Sequence, residues 1–103
     1  MNQESNTYSN VERVEQLIPH GSDHPVTATS MAKTLGIPLR DVYSCIQTLI
    51  MDKNIPIGGL RSGSTPGYFI ITSESERALV IRPLQHHIGA MSKHLRQLKT
   101  MKI

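Results

Sequence analysis

The chain has 103 residues, room for one domain whose core is just large enough to fold alone or with a partner subunit. It is 38% hydrophobic and 18% charged, with no Trp and a single Phe, an ordinary balance for an α-rich globular protein and one that excludes disorder throughout. The net charge of +3 conceals an asymmetry, because residues 1–76 hold five Lys/Arg against eight Asp/Glu, while residues 77–103 hold six Lys/Arg and no acid.

Three of the five histidines, His86, His87 and His94, lie in that basic segment. A basic tail favours acidic partners such as nucleic acid, although a solvated cationic helix has the same composition. The apolar runs are only about four residues long, too short for a bilayer, so no membrane partner is expected. Met1 to Asn10 is polar and shows no secretory leader pattern, and the expected compartment is the cytoplasm. The lone Cys45 rules out an internal disulfide framework and a Cys-rich zinc site, in keeping with a reducing compartment.

In chain order, residues 1–7 read as a flexible N-terminus, 8–72 as a folded domain and 73–103 as a C-terminal helical arm. Val11, Val14, Leu17 and Ile18 recur at helical spacing, and Pro19, Gly21 and Pro25 end that helix in a loop. Val26-Thr27-Ala28 reads as a short strand, followed by Thr29 or Ser30 as N-cap and Met31, Ala32 and Leu35 as the buried stripe of a short helix. Gly36 stands where a left-handed cap is expected, and Pro38 opens the next helix. Val42, Ile46, Leu49 and Ile50 form its apolar face, and it should end near Lys53 with Asn54 in the left-handed turn.

Ile55-Pro56-Ile57 and Tyr68-Phe69-Ile70-Ile71 then flank the glycine-rich stretch Gly58 to Gly67, a hairpin signature in which Pro56 implies an edge strand. Ser73-Glu74-Ser75-Glu76 reads as a capping box that opens the arm, and Pro83 should kink or break the helix that follows. The fold class is therefore α+β, mostly α: three helices, a β-hairpin and an amphipathic helical arm.

The sharpest motif runs from Met31 to Leu49, where Ala32 allows close helix approach, Gly36 makes the turn, and Ile37, Val42 and Ile46 pack the second helix on the first. With Gly67-Tyr68 closing the hairpin, this stretch resembles the winged helix-turn-helix domain of the biotin ligase/repressor family and of small bacterial and phage regulators, over roughly residues 11–72. The resemblance implies a DNA-binding regulator of transcription or replication. It does not imply ligase activity, because no glycine/arginine-rich biotin-site loop and no catalytic domain follow. Asn54 replaces the glycine usual after the second helix.

If the domain binds double-stranded DNA, the second helix enters the major groove with Pro38, Leu39, Arg40, Tyr43, Ser44 and Gln47 outward. Arg40 suits guanine, Gln47 adenine, and Tyr43 or Ser44 phosphate, while Arg61, Ser62, Ser64 and Thr65 on the wing reach backbone or minor groove. The sparse charge on this face also suits a protein-binding module that inhibits or recruits a nucleic-acid-processing machine.

In the arm, Ile81, Leu84, Ile88, Met91, Leu95 and Leu98 are spaced 3, 4, 3, 4, 3, an apolar stripe with a cationic outer face that includes Lys93 and Arg96, with Lys99 and Lys102 beyond. The stripe suits a homodimer seam; packing on the first helix is the alternative.

No catalytic constellation or cofactor is expected. His20 and His24 sit on a loop, His86 and His87 point apart, Cys45 reads as a buried small hydrophobe, and Gly58-Gly59 lacks the Lys-Ser/Thr of a phosphate loop.

Overall fold

The computed structural model describes residues 9–61 and 66–102. It is mostly helical with one antiparallel hairpin: α1 Asn10–Leu17, α2 Ala28–Leu35, α3 Leu39–Met51, β1 Ile57–Leu60, β2 Gly67–Ile70 and α4 Glu74–Thr100. The expected flexible segment 1–7 lies outside the described residues.

Capping chemistry sets the helix starts. At α1 the Ser9 hydroxyl accepts from the Glu12 amide and the Glu12 carboxylate accepts from the Ser9 amide, a reciprocal box that satisfies two free donors. The same Ser-x-x-Glu pattern was readable in the sequence, its Ser9 two residues before the apolar spacing begins at Val11. At α2 the cap is Thr27, whose Oγ1 accepts from the Ser30 amide at 3.1 Å, and not Thr29 or Ser30. The two residues expected as caps are already helical, because buried Ala28 must face the core from the first turn.

For the same reason the expected strand Val26–Ala28 shrinks to a single bridge, in which Val26 exchanges backbone hydrogen bonds with Tyr68. Gly36 ends α2 in the left-handed conformation at φ 67°, as its position after the last periodic residue predicts. Pro38 is the N-cap of α3, in extended conformation, so the helix starts one residue later. Asn54 takes the left-handed turn at φ 60°.

α1, α2 and α3 pack around Val14, Ile18, Met31, Val42, Ile46 and Leu49. The Arg13 guanidinium adds a cross-tie, with Nη2 donating to the Leu35 carbonyl at the end of α2 at 3.3 Å. Fully buried Phe69 is the largest side chain of the interior.

The first hairpin strand is Ile57–Leu60, not Ile55–Ile57, and pairs Ile57 with Ile70, Gly58 with Phe69, Gly59 with Tyr68 and Leu60 with Gly67. The glycines assigned to the loop thus belong to the strand, and the second strand begins at Gly67 rather than Tyr68. Neighbours explain this. A Cβ at Gly58 would stand 2.3 Å from Val80 Cγ2, and one at Gly59 would stand 3.1 Å from the Tyr68 ring. Bare backbone is what lets α4 and Tyr68 lie on β1. On its other edge, β2 pairs with the loop after α1: Ile70 donates to Pro19 and accepts from Gly21.

At α4 half of the expected capping box forms. The Ser73 hydroxyl accepts from the Glu76 amide at 3.2 Å. The Glu76 carboxylate does not return to Ser73. One oxygen accepts from the Thr72 amide and hydroxyl at 2.8 and 2.9 Å, and the other accepts from the Ser22 amide at 2.8 Å. Glu76 therefore ties the arm to the 19–26 loop. These donors, the Thr72 amide first, hold its carboxyl below the ordinary glutamate range.

α4 runs through Pro83 as one helix, so of the expected kink or break the break does not occur. The ring removes one hydrogen bond, to the Leu79 carbonyl, in an exposed stretch where water replaces it at small cost. Among the described residues only Val80 of this helix is buried, and beyond it the arm projects from the rest of the described chain. The resulting radius of gyration, 16.8 Å, exceeds the roughly 13 Å of a compact chain of this length.

Two stability measurements check this arrangement. Gly58→Ala should lower stability by about 1–3 kcal/mol through the clash with Val80, and adding Val80→Ala should recover part of the loss, a coupling read by denaturant melts of the four-member cycle. Because folding lowers the Glu76 pKa, its contribution is complete above the ordinary glutamate range and disappears as pH falls through the folded value. Glu76→Gln should therefore melt below the wild type at neutral pH, with the gap closing on acidification.

Candidate nucleic-acid interface

α3 is two-faced. Val42, Cys45, Ile46 and Leu49 face the core, which turns Leu39, Arg40, Tyr43, Ser44 and Gln47 outward, with Pro38 exposed before them. All six residues expected on this surface are exposed, Tyr43 at 49% and Leu39 at 40%. The surface continues through exposed Met51, one turn beyond Gln47. Among the described residues of α3 it carries one cation, Arg40. The Arg40 Nε lies 3.8 Å from Asp41 Oδ1 in an open ion pair, which costs little to exchange for another acceptor.

The hairpin packs on the helical unit, β1 against α3 and Tyr68 against the core that the helices share. The Tyr68 backbone exchanges both of its hydrogen bonds with Val26, and its half-buried ring lies against Gly59 of the paired strand. Burial pushes the phenol above the ordinary tyrosine range, Tyr43 pushes it further, and Arg61 draws it back. Tyr43 of α3, Tyr68 of β2 and Arg61 at the end of β1 therefore share one electrostatic neighbourhood.

Tyr68 was absent from the expected set. The available signal was strand alternation: Tyr68 shares a face with the core residue Ile70, and Phe69 takes the opposite one. Arg61 is exposed, while Ser62, Ser64 and Thr65 lie outside the described residues.

The other chemical candidates stay apart. Cys45 is buried, and burial followed by the charge of Asp41 pushes its thiol up, which disfavours the reactive thiolate. Among the described residues no group of three or more His, Cys, Asp and Glu converges as a metal site. His20 and His24 are exposed on their loop, and His86 and His87 on α4.

On the arm, Ile81, Leu84, Ile88, Met91, Leu95 and Leu98 are 39–61% exposed, so α1 does not cover the stripe. Lys93, Arg96, Lys99 and Lys102 are exposed as well. Among the described residues no helix is long and apolar enough to cross a membrane. No family model, curated protein or solved structure matches the chain.

The tyrosine cluster has a direct test. In an NMR-detected pH titration Tyr68 should ionise above the ordinary tyrosine range, and Arg61→Ala should move it higher still, because the cation that favours phenolate is gone. An unchanged Tyr68 titration in that variant would separate Arg61 from the cluster.

Proposed function

We propose that the chain is a winged helix-turn-helix module that binds double-stranded DNA sequence-specifically, as a cytoplasmic dimeric regulator of transcription or replication. The observation that carries this reading is the exposed face of α3, from Pro38 to Gln47, on a three-helix unit against which β1 of the hairpin packs. In this mechanism α3 enters the major groove, where Arg40 donates to guanine O6 and N7 and Gln47 pairs with adenine. Tyr43 and Ser44 contact phosphate, and Arg61 with Ser62, Ser64 and Thr65 holds the flanking backbone or minor groove. The arm pairs two copies through Ile81 to Leu98, and Lys93, Arg96, Lys99 and Lys102 add cationic surface for phosphate.

One feature favours a second reading, a protein-binding module on the same scaffold that inhibits or recruits a nucleic-acid-processing machine. The single cation on the α3 face already has a carboxylate beside it.

Fluorescence-anisotropy binding to duplexes across a salt series separates the two. DNA recognition predicts saturable binding that weakens linearly in log salt. Arg40→Ala and Gln47→Ala should then each cost about 1–3 kcal/mol at the preferred site. No binding at low salt by folded protein would overturn it in favour of the protein-binding module.

A further inference from the structure

α4 leaves the domain with an uncovered apolar stripe, and the stripe begins at a groove. Val80, seated on Gly58, lies one turn before Leu84 on the same side of the helix. Between α4 and the hairpin edge opens a groove of about 550 Å³, lined by Leu60, Arg61, Leu79, Pro83, Leu84 and His87. We propose that a second copy of this chain docks antiparallel along α4 and seats the C-terminal turns of its own arm in this groove. The proposal deepens the dimer part of the function above and is independent of DNA.

Register, charge and area each support this occupant. The spacing 3, 4, 3, 4, 3 reads the same in both directions, so an antiparallel copy aligns every stripe residue: Ile81 with the partner's Leu98, Leu84 with the partner's Leu95, and Ile88 with the partner's Met91. Residues 77–103 carry six cations and no acid. A parallel pair sets the two cationic ends side by side, whereas an antiparallel pair carries each one toward the other copy's acidic portion, residues 1–76, and opposes the helix dipoles. Stripe-to-stripe contact alone covers on the order of 1,000 Å² in total, the lower edge of a specific interface, and filling both grooves moves it toward the usual ~1,600 Å².

Light scattering and disulfide trapping of the full chain test it without DNA. The wild type, whose Cys45 is buried, serves as the uncross-linked control. The antiparallel register expects a dimer by mass, no cross-link for Leu98→Cys alone, and a doubly linked dimer for Ile81→Cys with Leu98→Cys. Those two positions are about 25 Å apart within one helix, too far to join internally.

Leu60→Asp should weaken the dimer at least tenfold if the partner's arm fills the groove. Cross-linking of Leu98→Cys to itself overturns the orientation, because it reports a parallel seam. An unchanged dimer affinity in Leu60→Asp overturns the groove seat. A monomeric mass at tens of micromolar overturns the pairing itself and leaves DNA binding to be decided by the salt series. Both cysteine positions are surface-exposed in the single chain, and circular dichroism confirms that each variant is folded.

Discussion

β2 is hydrogen-bonded along both of its edges, and the placement of the other elements depends on this. On one side it carries β1, and on the other it exchanges bonds with Pro19, Gly21 and Val26 in the loop between α1 and α2. Four residues thus join the start of the helical unit to the end of the hairpin. Ile70 of this strand joins the helical core, Tyr68 packs against that core from the same face, and fully buried Phe69 takes the opposite face, where Val80 of α4 is seated on Gly58. Without this pairing the hairpin would be an isolated two-stranded ribbon, which is marginal in water, and nothing would hold it beside α3.

The helical part of this plan was legible because its signals are local and agree with one another. The apolar spacing of Val42, Ile46 and Leu49, the left-handed Gly36 and Asn54, and the outward face from Leu39 to Gln47 all follow from a 3.6-residue period with standard ends. What escaped was set by contacts distant in sequence. Gly58 and Gly59 look like loop residues until Val80 and Tyr68, many residues later, are seen to need bare backbone. Glu76 has the spacing of a capping-box partner, but Ser22 and Thr72 offer it better-placed amides than Ser73 does. Tyr68 was readable only once Ile70, two residues on and on the same face of the strand, had been assigned to the core.

The balance of charge narrows how the proposed DNA reader would work. With Arg40 alone on the α3 face and Arg61 at the hairpin, a single copy neutralises few phosphates there, so affinity from counterion release would be modest. The cations are concentrated on the arm instead. Recognition and electrostatic attraction would then reside in different parts of the chain, with α3 discriminating between sequences and the arm raising local affinity. Two copies joined through their arms would double both terms, and avidity would offset a weak single head.

The arm also poses an energetic problem of its own. A 27-residue helix with one buried side chain gains little from its own domain, and isolated helices depend on burying an apolar face to persist in water. Its composition sharpens the problem, since Gly89 and Pro83 both oppose helix formation and, among the described residues, a single ion pair, Arg77 with Glu74, supports its first turn. A continuous line of six half-exposed aliphatic side chains, ending in a groove at the hairpin, is the kind of surface that soluble chains rarely leave open. Covering that line would convert the arm from a marginal helix into a stable one. Folding of the arm and association would then be a single event, and the same contact that pairs the copies would fix the spacing between their reading heads.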